Sequence, residues 1–121
     1  MDRDEFTKRS IEKHGIDMNK TLLIDKLEFI SSYFAMLRTQ LLSTVFTVQQ
    51  VWFGGRTQKD AIFHHFKNEI QFERMEDSII VRFNNVDYDV LLIDNANLKS
   101  EKFDSELSEE LLNKYLMLFD I

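Results

Sequence analysis

Cysteine and proline are absent from the 121 residues, and glycine occurs only three times. Without cysteine there is no disulfide scaffold, iron–sulfur cluster, thiol nucleophile or thiolate zinc site. The missing prolines and scarce glycines argue against collagen-like, linker-rich and many-turned all-β architectures, which use those residues as punctuation. A long apolar run is missing too. The longest uncharged stretch, Thr39 to Gly55, carries Gln40, Gln49 and Gln50 and falls short of the ~20 apolar residues of a spanning helix. Met1 to Gly15 is charged throughout, without the apolar region of a signal peptide. A cytoplasmic protein that does not engage a membrane is the expectation.

What is present points to a folded chain. Hydrophobic residues make up 44% and charged residues 30%, enough for a core and too apolar for disorder. The length fits a single domain over 1–121. The net charge of −6 is uneven: residues 1–60 carry nine Lys/Arg against eight Asp/Glu (+1), and residues 61–121 carry six against thirteen (−7). Phosphate binding needs clustered Lys and Arg, so nucleic acid is not expected as a partner. An acidic half suits a basic protein partner, or simply a solvated face.

Periodicity gives the organisation. Residues 1–16 read as a weakly helical or mobile arm anchored by Phe6 and Ile11. His14-Gly15-Ile16-Asp17 reads as a break, with Asp17 or Asn19 capping a helix that begins beyond it. Leu23, Leu27, Ile30, Phe34, Leu37, Leu41, Val45, Val48 and Trp52 are then spaced by threes and fours, a helical seam ending at Gly54-Gly55. The β-branched content of residues 43–53 leaves helix and strand both open there. Thr57 to Asp60 resembles a capping box opening a helix with Ile62, Phe63, Phe66 and Ile70 on one face. Residues 69–75 stay ambiguous. Ser78–Phe83 and Asp87–Ile93 read as a hairpin turned at Asn84-Asn85, with residues 69–74 as a third strand. A C-terminal amphipathic helix starting near Ser100 or Asp104 buries Leu107, Leu111, Tyr115 and Leu118, broadened by Leu112, Leu116 and Phe119. The expected fold is α+β: a helix-dominated domain with a long central helix, a small sheet over about residues 69–93 and this last helix.

Chemistry-bearing groups are few. His64, His65 and Glu69 lie close together and suggest a metal or proton-transfer site, but adjacent histidines do not have the spacing of a zinc helix. A histidine capping the Phe63/Phe66 cluster is the plainer reading. Asp87 and Asp89 are two apart on a strand and share a face, as a dyad or cation site would require. Blunting an edge strand explains them as well. Gly54-Gly55-Arg56-Thr57 lacks the Gly-Lys-Ser/Thr end of a phosphate-binding loop. Residues 2–30 contain a degenerate helix-turn-helix around Gly15, with polar residues where its core should be. No catalytic residue, cofactor or metal site is nominated, and an enzyme is not the favoured class.

Aromatic residues reach 12%, eleven of them Phe. Trp52, Phe53 and Phe72 stand out as candidate surface anchors, the role aromatics play at protein interfaces. The expectation is a small acidic protein that works through another protein, as a regulator, inhibitor or adaptor, with homodimerisation as one form of that contact. A DNA-binding regulator using residues 2–30 is the alternative.

Overall fold

The computed structural model describes the backbone of residues 1–121 and every side chain except those of residues 16 and 17. One helix, α1 (Arg3–Leu42), is followed by six strands: β1 (Val51–Gly54), β2 (Asp60–His65), β3 (Asn68–Arg74), β4 (Ser78–Phe83), β5 (Val86–Asp94) and β6 (Asn97–Ser100). A short helix, α2 (Glu109–Leu116), and a 3-10 turn over Met117–Phe119 complete the chain. The strands form one antiparallel sheet in chain order, each paired with the next.

The helix-dominated fold with a small sheet over 69–93 is therefore corrected to a long helix laid against a six-stranded meander. Scarce glycine did not prevent the turns, because asparagine and other residues supply positive φ. Asn84 and Asn85 both have it (φ 51° and 66°) in the β4–β5 turn, and Asn95 has it in the β5–β6 turn. This is the geometry that lets a two-residue loop match the strand twist.

α1 starts and stops elsewhere than expected. The Asp2 side chain accepts a hydrogen bond from the Glu5 N–H at 2.8 Å, capping the first turn. The helix runs through residues 14–17 without a break. A helical glycine costs about 1 kcal/mol, which forty continuous residues absorb. The capping role expected of Asp17 falls outside the described side chains, and Asn19 sits mid-helix. The C-terminus comes at Ser43 rather than Gly54-Gly55. There the Ser43 and Thr44 hydroxyls donate back to the Gln40 and Leu41 carbonyls at 2.7 and 2.5 Å. These side chains compete for helix carbonyls, and the β-branched run beyond them favours extended structure.

The expected helix over residues 57–70 is strand and turn. Ala61, Phe63 and His65 point inward at period two, where the sheet meets α1. The core joins Leu23, Leu27, Ile30 and Phe34 of α1 to Val51, Phe63, Ile70, Phe72, Ile79, Val81, Leu91 and Leu98 of the sheet. Leu111, Leu112 and Tyr115 of α2 close it at one side. The Phe34 ring lies 5.1 Å from Phe63 and 5.4 Å from Phe72. The last helix begins at Glu109, with the Ser108 hydroxyl as its cap, later than Ser100 or Asp104. The opposite face of the sheet is open.

Candidate interaction surface

α1 is about 60 Å long, and among the described residues only those of its second half pack on the domain. Every described residue in 1–14 and 18–21 is exposed, whereas Leu23, Leu27, Ile30 and Phe34 are buried. The first half therefore projects about 30 Å without packing on the sheet. It is not uniformly polar. Ile11 and Met18 are 65% and 69% exposed, and Phe29 and Met36 further along are 43% and 67% exposed. With the half-buried Leu22 these residues recur at sevens and fours. At 100° per residue they form a stripe about 120° around the helix from the buried seam. α1 thus carries two apolar faces, one covered by the sheet and one uncovered. Phe6, also exposed, lies off this stripe.

The charges on the projecting half cancel. Arg3, Lys8, Arg9, Lys13 and Lys20 stand against Asp2, Asp4, Glu5, Glu12 and Asp17, and Arg9 pairs with Glu5 at 2.6 Å. No turn interrupts the helix at Gly15, so residues 2–30 do not form the helix-turn-helix on which the DNA-binding alternative rests.

The open sheet face carries a chain of charges across the strands. Both the backbone N–H and the guanidinium of Arg56 donate to Asp60, at 2.5 to 3.2 Å, and Gln71 adds a bond at 3.2 Å. Arg56 also reaches Glu73 at 3.2 Å; Arg82 bonds Glu73 at 2.8 Å and Asp87 at 2.9 Å. Burial pushes the Asp60 carboxyl up, but the donors from Arg56 and Gln71 outweigh it and hold it below the ordinary value. The Asp60 carboxylate occupies the turn after Gly54-Gly55, where an anion would have to sit, so this loop is no phosphate cradle. Hydrogen bonds that are all satisfied among neighbours fit a lattice fixing strand register.

The other sequence candidates separate. His64 and Glu69 face each other across β2 and β3 on the open side, 3.8 Å apart, while His65 points to the opposite face among Phe46, Phe66 and Phe119. Successive strand residues alternate faces, so the two histidines cannot share an ion. No group of three His, Asp or Glu suited to a metal occurs among the described residues. Asp87 and Asp89 are also parted. A β-bulge opposite Val81 and Arg82 leaves Asp87 on Arg82 and turns Asp89 into the interior. There Asp89 accepts from the Ser100 and Tyr115 hydroxyls at 2.5 and 2.6 Å and from the Lys102 N–H at 3.0 Å.

Of the three aromatic anchors, Trp52 is exposed at 43%, lying over Gly54; Phe53 is half-buried, and Phe72 is fully buried in the core. Phe72 was misplaced because a helical register turned it off the apolar face, whereas in β3 it alternates inward with Ile70. The stripe on α1 is spaced legibly in the sequence, but reading residues 1–16 as a separate arm hides it, because Ile11 then falls outside the helix that carries Met18, Leu22, Phe29 and Met36. A further apolar hollow of about 330 Å³ opens beside Leu37, Leu41, Phe63, His65 and Phe119. No helix among the described residues is long and apolar enough to cross a membrane. Comparisons with protein-family models, curated proteins and solved structures find no match.

Proposed function

We propose that this chain is a protein-binding module, a small acidic regulator, inhibitor or adaptor that docks its partner on the uncovered face of α1. The observation that carries this reading is the projecting half of the helix, with apolar side chains and no domain surface beneath them. Most helical stability in proteins comes from tertiary packing, which the described side chains of this half lack, and Gly15 weakens the helix further. A partner that buries Ile11, Met18 and Phe29 supplies the packing the domain does not. Acidic and basic residues matched one for one favour protein over phosphate as the surface met, which leaves the DNA-binding alternative with less support. A cytoplasmic placement is part of the proposal.

The test is paired affinity capture from the source cell. Proteins retained by the wild-type chain are expected to be lost with Ile11→Glu/Met18→Glu/Phe29→Glu and kept with Trp52→Ser on the open sheet face. Loss with Trp52→Ser and retention by the α1 variant would overturn the reading.

A further inference from the structure

Resting on the reading of α1 as the docking face, we infer that its occupant is a second copy of this chain, with the two α1 helices antiparallel and crossing at the level of Lys20. The heptad positions of the stripe set this register. Ile11 falls opposite Phe29 and Met18 opposite Leu22, and two-fold symmetry repeats each layer, as an isologous contact requires. The polar stripe position Asp25 falls opposite Gly15, the smallest residue, which leaves its carboxylate room to stay hydrated. Lys8 and Asp4 meet Ser32 and Met36 toward the ends.

Charge complementarity selects this arrangement. Glu12 flanks the second copy's Lys26 as an opposite-charge pair, and His14 flanks the second copy's Glu28 as a hydrogen-bond donor, each twice by symmetry. None of these four residues makes an ion pair within its own chain among the described residues. A parallel, in-register pair would instead set Asp25 against Asp25 in the seam. Its flanking pairs, His14 with Asn19 and Thr21 with Lys26, gain no opposite charges. Flanking charges of this kind choose orientation in paired helices.

The contact is also large enough. Residues 4–36 overlap for about 50 Å. A third of the helix circumference over that length is on the order of 700 Å² per chain, near the ~800 Å² per partner of a standard interface. The sheet packs about 120° around α1 from the stripe, and the antiparallel register sets the two domains at opposite ends of the pair.

The test uses the full chain and its cysteine-free background. Sedimentation velocity from low to high micromolar concentration should show the mass rising from one chain to two. A mixture of the single variants Ile11→Cys and Phe29→Cys should, on oxidation, give the mixed disulfide between them. Glu12→Lys should weaken the dimer about tenfold, and adding Lys26→Glu should restore it. Same-variant disulfides without the mixed one would overturn the antiparallel register. A monomer at every concentration would overturn the second copy as occupant, while the α1 docking face would then stand or fall on the capture comparison alone.

Discussion

Replacing Tyr115 by Phe removes one buried hydroxyl and nothing else. The Tyr115 ring is fully buried, 5.8 Å from Phe72 and 6.1 Å from both Tyr88 and Phe103, and Phe keeps those contacts. What disappears is the hydrogen bond at 2.6 Å to Asp89, itself only 5% exposed. A hydrogen bond to a charged group contributes about 1.5–3 kcal/mol. Because Asp89 retains Ser100, Lys102 and Val90 as donors, the expected loss is about 2 kcal/mol, or a Tm lower by about 8 °C for a chain of this size. Urea titration followed by circular dichroism reads the free energy. The same bond predicts an alkaline signature. Burial first, and then the bond to Asp89, raise the Tyr115 pKa above its ordinary 10.0. The stability this contributes is fully present below that value and is lost as pH rises beyond it. Tyr115→Phe should therefore flatten the high-pH fall seen in the wild type. A change under about 0.5 kcal/mol, the range of ordinary surface substitutions, with an unaltered alkaline limb, would refute this reasoning.

Other outcomes rest on the turns and the charge lattice. Asp60 is held below its ordinary 3.8 by Arg56 and Gln71 against the opposing effect of burial, so its contribution is present above about pH 4 and lost as pH falls below that. Asp60→Asn should flatten the acid limb of urea midpoints measured against pH. Gly55 sits at φ +134°, with its missing Cβ 2.5 Å from the Asp60 carbonyl oxygen. Gly55→Ala should cost more than about 2 kcal/mol by the same titration. Phe66 has φ 56° at the β2–β3 turn, a strained conformation for a bulky residue. Phe66→Asn should raise stability by about 1 kcal/mol in thermal melts, and a lowered Tm would show that the ring contacts with Phe46 and His65 outweigh the strain and refute this prediction.

The sequence made some elements legible and hid others for identifiable reasons. The α1 seam from Leu23 through Leu41 and the Asn84-Asn85 hairpin were readable because periodicity and turn chemistry agreed at each. So was the stripe of α2, with Leu111, Leu112 and Tyr115 on its core side. Residues 57–70 failed because Ile62, Phe63, Phe66 and Ile70 satisfy a helical period while Ala61, Phe63 and His65 satisfy a strand period. In such short runs the neighbouring sheet decides. β6 offers only Leu98 and Ser100 as buried positions, too little alternation to notice. The separation of Asp87 from Asp89 depends on a bulge, and that of His64 from His65 on strand rather than helix geometry. The stripe on α1 depends on residues 3–22 continuing the helix, because a second apolar face has meaning only on a helix whose first face is already covered.

The central claim is that this second face is buried between two copies in solution. Amide hydrogen exchange over residues 4–21, measured on the purified chain as a function of its concentration, tests it most directly. Pairing predicts slow exchange there that strengthens as concentration rises, while the β3–β4 amides stay unchanged. Free-peptide exchange across residues 4–21 at every concentration would contradict it.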